Sequence, residues 1–163
     1  MSTFVHCVCG IDPGKSGAIA FFFPDDPRLI SAEDMPLAGG EVDAVTLAAR
    51  LRQLAPTMAV IEAVHSMPGQ GVSSSFAFGA AYGMARGVVL ACGIPLHLVT
   101  PNRWKKHFHL DSDKEKSRAL ALRYWPTSTA FARKRDDGRA EASLIARFGA
   151  EVILGTLSTG GAE

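Results

Sequence analysis

Four carboxylates stand out by where they fall in the chain. Asp12 follows the apolar run Phe4–Ile11 (FVHCVCGI), and Glu62 follows Thr57–Ile61 (TMAVI). A carboxylate at the end of a buried strand loses much of its water, so it needs a cation, a set of hydrogen bonds or a proton. Taken singly, each is equally a turn or cap acid at a sheet edge. Asp137 and Glu141 lie four apart at the start of a helical stretch and so share one face, where like charges repel. Asp137 also reads as a helix N-cap, whereas Glu141 lies one residue past the capping-box position, between Ala140 and Ala142. Brought together, Asp12, Glu62, Asp137 and Glu141 make an oxygen-only, histidine-free cage suited to Mg2+, with Mn2+ as a substitute. Two such ions about 4 Å apart activate a water and stabilise the leaving oxygen in an in-line phosphodiester hydrolysis.

The elements that must position these acids follow from pattern. Phe4–Ile11 and Ala18–Phe23 read as two strands of a hairpin around Gly14–Gly17, and Leu29–Met35 as a third. Glu41–Leu54 has helical spacing, with Val42, Val45, Leu47, Ala48, Leu51 and Leu54 near one side. Thr57–Ile61 is a strand, and HSMPGQGVSSS is a Gly/Ser-rich loop. Phe76–Cys92 is a helix, Leu96–Val99 the last strand, and helices follow near Arg103–His107, Asp113–Tyr124 and Gly138–Leu154. This order implies an α/β fold: a mixed five-stranded sheet, its first three strands antiparallel, with helices on both faces.

The whole chain sets outer bounds. Its 163 residues, 47% hydrophobic and 20% charged, suit one globular domain over 1–155 with a flexible tail at 156–163. No run of eighteen apolar residues exists to span a bilayer, and no basic segment precedes the first apolar stretch as in a secretory signal. Cys7, Cys9 and Cys92 read as reduced thiols, and the expected location is cytoplasmic. The formal net charge is +1, yet residues 101–139 hold eleven Lys/Arg against five Asp/Glu. A basic third on an acidic remainder suits a polyanion, or it solvates two exposed helices. GIDPGKS has three residues between its glycines where a P-loop needs four, and Pro13 removes a donor the phosphate cradle requires. Lys15, in the same turn, either neutralises a phosphate or is a solvated turn residue.

The blocks GIDPGKSGAIA, VIEAVHSMPGQGVSSSFAFG, LVTPNRWKKHF, KEKSRALALRYWP and DDGRAEASLIA, in this order, resemble the RuvC-type Holliday junction resolvases. The likeness runs from about Val8 to Phe148, and the PGQG loop and DDGRAEA block look closer to the chloroplast and phage branch. The resemblance implies a ribonuclease H-like fold, a homodimer, and Mg2+-dependent symmetric nicking of four-way DNA junctions that leaves 5′-phosphates. It maps Asp12, Glu62 and Glu141 onto three of the family's metal-binding acids. The bacterial pattern has its remaining acid where this chain has Gly138; Asp137 matches the chloroplast-like pattern, with Asp136 adjacent. For a junction binder, Lys15, Lys105, Lys106, Lys114, Lys116, Arg118 and Arg135 are the expected phosphate contacts. Met67 and Gln70, in the loop after Glu62, are candidates for wedging or base reading. Gly79, Gly83 and Gly87 make a smooth ridge for a dimer seam or for the chain's own sheet. Trp104 stacks on DNA or anchors packing; Trp125 belongs to the core, and His107 and His109 are surface residues. Two alternatives remain: a ribonuclease H-like nuclease on hybrids or flaps, and a non-catalytic DNA- or nucleotide-binding relative of the fold.

Overall fold

The computed structural model describes residues 6–155. The chain runs β1 (Val8–Asp12), β2 (Ala18–Phe22), β3 (Ile30–Asp34), β4 (Leu37–Ala38), β5 (Glu41–Val42), α1 (Ala44–Leu54), β6 (Met58–Glu62) and α2 (Val72–Ala91). It continues through β7 (Leu96–Val99), α3 (Pro101–His107), α4 (Lys114–Tyr124) and α5 (Asp137–Phe148). A 3-10 turn at Lys134–Asp136 leads into α5, and a π-helical stretch, Gly149–Leu154, prolongs it. Five strands make one sheet in the order β3-β2-β1-β6-β7. The first three pair antiparallel, and β6 and β7 add in parallel. The ribonuclease H-like mixed sheet expected from the sequence is the sheet observed.

Period-two alternation sorts the strand residues between two cores. Cys9, Ile11, Ala59 and Ile61 pack toward α1 and α2, against Leu47, Leu51, Ala81, Ala85 and Val89. Val8, Met58 and Val60 point the other way, into a core shared with Trp104, Trp125, Phe131 and Leu144 from the α3–α5 side. The β1–β2 hairpin closes through Gly14, at φ 103, and a bond from the Gly17 N–H to the Gly14 carbonyl of 3.1 Å. A side chain at Gly17 would meet the Asp12 carbonyl at 2.0 Å, so this turn demands glycine.

Several expected boundaries move. Phe4, Val5 and the tail 156–163 lie outside the described residues; β1 starts at Val8, and Asp12 and Glu62 are the last residues of their strands. The expected helix over Glu41–Leu54 begins only at Ala44. Before it stands a small β4–β5 hairpin turning on Gly39 and Gly40, both at positive φ, and Asp43 caps α1 through the N–H groups of Val45 and Thr46. Val42 is therefore a strand residue, and Val45 faces solvent. Helix α2 starts at Val72, taking in Ser73–Ser75, which the sequence assigned to a loop. Thr100 caps α3, and Pro101 at its first position moves that start ahead of Arg103.

Candidate active site

Strand register brings the first two carboxylates together. Ile11 lies opposite Ile61 on the parallel neighbours β1 and β6, so Asp12 and Glu62 end adjacent strands at one level. The same parity that sends Val8 and Val60 toward α5 sends these acids there too. Helix α5 then sits almost directly on β1: a Cβ at Gly10 would lie 2.1 Å from the Ala142 carbonyl oxygen and 2.4 Å from the Ala146 nitrogen. Small residues on both partners permit that approach, and it carries Glu141 to the strand ends. A cleft of about 530 Å³ results, lined by Asp12, Glu62 and Glu141 with Lys15, Lys105 and Lys114. Asp137, one turn earlier on α5, binds Lys114 through its Oδ2, 3.1 Å from Nζ.

Three carboxylates and three lysines share the cleft. Burial first, then the charges of Glu141 and Glu62, push the Asp12 carboxyl well above the usual carboxylate range; Lys114 opposes this and Asp137 adds to it. Glu62 is also raised, chiefly by burial and by Glu141, although its Oε2 accepts a 2.6 Å bond from Trp104 Nε1 and Lys105 and Lys114 lie nearby. Glu141 is 4% exposed. Its Oε1 stands 3.5 Å from Lys105 Nζ, within reach of charge attraction, yet accepts no hydrogen bond. Burial works to lower Lys114, but its bond to Asp137 and the charges of Glu141, Asp137 and Asp12 carry it above the usual lysine value.

Among the described residues, no three His, Cys, Asp or Glu side chains stand close enough together to hold a metal ion. Lysine ammonium groups stand among the carboxylates instead. The donor set still fits a hard divalent cation: it is all oxygen, its members repel one another, and one buried carboxylate oxygen has no hydrogen-bond donor.

Asp137, assigned from the resemblance, and its neighbour Asp136 have different surroundings. Asp136 is 1% exposed and accepts bonds from the Arg133 backbone N–H at 2.7 Å and from the Arg133 guanidinium at 2.8 and 3.0 Å. Burial alone would raise its carboxyl, but those bonds and the charges of Arg133 and Arg139 hold it low. Arg139 also grips Asp34 at the end of β3 with two bonds, of 2.8 and 3.0 Å. Asp136 thus pins the start of α5, and Asp137 is the acid whose charge reaches Asp12.

No protein-family model matches the chain, and no curated protein does. Solved structures do. RuvC of T. thermophilus in complex with a Holliday junction substrate superposes with a TM-score of 0.62 at 15% identity, over 93% of this chain and 97% of that one. A second T. thermophilus RuvC structure gives 0.61 at 15% identity, over 92% and 97%. The chain has the RuvC fold. The yeast mitochondrial Holliday junction resolvase Ydc2 matches at 0.53 and 15% identity, over 87% of this chain and 76% of that one.

Within this RuvC fold the basic residues singled out from sequence divide. Lys105 and Lys114 reach into the carboxylate cleft, and exposed Lys15 lies at its rim. Lys106 is exposed beside Asn102 and His109 in a second groove, and Arg135 is exposed in the turn before α5. Lys116 pairs with Asp111 on the surface. Arg118 turns inward, bonding Glu115 and donating to the carbonyl of Phe131 at 2.8 Å. Met67 and Gln70 are exposed and joined across a Pro-Gly turn, with the Gln70 N–H 3.1 Å from the Met67 carbonyl and Gly69 at φ 82. They border an apolar hollow whose Val64 and Phe78 also line the carboxylate cleft.

Trp104 is fully buried and has no face for a base to stack on; its link to Glu62 spans 42 positions and was invisible in the sequence. Trp125 is a core residue. His107 bonds Glu151 at 2.6 Å. A Cβ at Gly79, Gly83 or Gly87 would meet nothing within 4 Å, so that ridge faces away from the chain's own sheet. The three cysteines are free, and burial pushes the Cys7 thiol up to about 12. Among the described residues, no helix is long and apolar enough to cross a membrane.

Proposed function

We propose that this chain is a Holliday junction resolvase: a metal-dependent endonuclease that makes paired, symmetric nicks in four-way DNA junctions and leaves 5′-phosphates. The observation that carries this is the convergence of Asp12, Glu62 and Glu141 in one cleft of a RuvC fold, one of their buried oxygens lacking a donor. The T. thermophilus relative, solved on a Holliday junction substrate, supports the choice of DNA.

Asp12, Glu62, Asp137 and Glu141 would hold Mg2+, with Mn2+ as a substitute. When bound, Mg2+ supplies the Lewis acidity that activates water and steadies the leaving oxygen of a phosphodiester. The chain's own residues place the substrate. Lys15, Lys105 and Lys114 offer positive charge around the cleft, and Lys106, Lys116 and Arg135 extend it over the surface. Met67 and Gln70 stand where a strand leaving the cleft would pass. A four-way junction with two equivalent cuts calls for a two-fold protein, and the outward glycine ridge of α2 is the surface we assign to a homodimer. Its free thiols suit the reducing cytoplasm.

Cleavage of a mobile four-way junction in Mg2+ tests the proposal. Paired nicks are expected, abolished by chelator and by Asp12→Asn. Equal cutting of linear duplex would overturn junction selectivity, and preferential cutting of RNA–DNA hybrids would make the chain a ribonuclease H-like nuclease instead.

A further inference from the structure

We infer that Trp104 is a positioning residue for the metal site, fixing how Glu62 presents its carboxylate; the inference rests on the metal-centre assignment above. The indole Nε1–H lies 2.6 Å from Glu62 Oε2, a short bond to a half-buried carboxylate. An indole nitrogen only donates, so this contact engages Oε2 and leaves Oε1 for a cation. Trp104 itself is locked: it is 0% exposed, and its helix is capped by Thr100, whose Oγ1 accepts from the Arg103 N–H at 3.3 Å, with Pro101 in the first turn.

The same ring acts on a second acid. Lys105 Nζ lies 5.3 Å from the Trp104 ring centroid and 3.5 Å from Glu141 Oε1. One buried indole therefore steers Glu62 directly and sets the cation beside Glu141. Partners that orient a ligand and favour its ionised form typically change metal affinity by about 10–100-fold when removed.

Two tryptophans make a direct test, because Trp125 Nε1 donates to the Pro27 carbonyl at 3.0 Å and serves as an internal reference. Isothermal calorimetry with Mg2+ alone should show Trp104→Phe binding about tenfold or more weakly than the wild type. Circular dichroism should show Trp104→Phe folded like the wild type. In the unaltered protein, Mg2+ titration should move the Trp104 indole N–H resonance and leave that of Trp125 in place, and Glu62→Gln should move the same resonance without metal. Tight Mg2+ binding by Trp104→Phe, or Mg2+ binding that leaves both indole resonances still, overturns the positioning role while sparing the metal centre. Absence of any Mg2+ binding by the wild type overturns both.

Discussion

At the scale of single residues, the site is defined by acids that oppose one another. Asp12 and Glu62 are raised, so the folded chain keeps protons that the unfolded chain has released. Stability from these two groups is therefore greatest at low pH and falls as pH rises from their ordinary values, 3.8 and 4.5, through the raised ones. The lowered acids, among them Asp34, Asp43 and Asp136, act oppositely, but only as pH falls from 3.8 through their lowered values. From the ordinary carboxylate range up toward neutrality the chelated protein should thus melt lower as pH rises. Asp12→Asn should weaken that slope and raise the melting temperature near neutrality, by about 2–4 °C for each kcal/mol of relieved repulsion. Differential scanning fluorimetry in chelator checks both; a melting temperature that climbs over this range would contradict the electrostatics. Asp12 and Glu62 were legible in the sequence because each ends an apolar run. Between Asp136 and Asp137 only the family resemblance chose there, since Asp136's anchoring runs partly through Arg139, which bonds Asp34 105 positions from itself along the chain.

At the scale of elements, the site depends on how closely α5 lies on β1. Gly10, Ala142 and Ala146 make that contact, and a methyl group at Gly10 would press on helix backbone rather than on a side chain that can swing aside. Gly10→Ala should cost about 3 kcal/mol, at the upper end for overpacking, in urea denaturation. A loss under about 1 kcal/mol would show that α5 can shift without harm. The strands were legible because short runs such as AIAFF and MAVI are apolar throughout, as a sheet covered on both faces requires. The β4–β5 hairpin was not. It has two residues on each side, and Val42 and Val45 also fit helical spacing, so only the Gly39-Gly40 pair marked the turn.

At the scale of the whole molecule, the outward face of α2 is the surface on which the proposed dimer, and with it symmetric cutting, depends. Gly79, Gly83 and Gly87 share it with exposed Val72, Phe76 and Leu90, an apolar stripe that this chain leaves uncovered. The glycine spacing was readable from sequence, but not which way it faced, because sheet packing and dimer contact favour the same small residues. Gly83→Arg should leave helix content unchanged by circular dichroism, as a side chain there meets nothing within 4 Å. Light scattering should then report a dimer for the wild type and a monomer for Gly83→Arg. A dimer that survives the substitution would remove α2 as the seam.

The most direct measurement is a crystal of the protein soaked in Mn2+ and read by anomalous diffraction. Two peaks are expected among Asp12, Glu62, Asp137 and Glu141, with Lys105 and Lys114 displaced toward the cleft mouth. Full soaking with no anomalous peak at these carboxylates, the lysines still paired with Glu141 and Asp137, would contradict the metal-centre assignment.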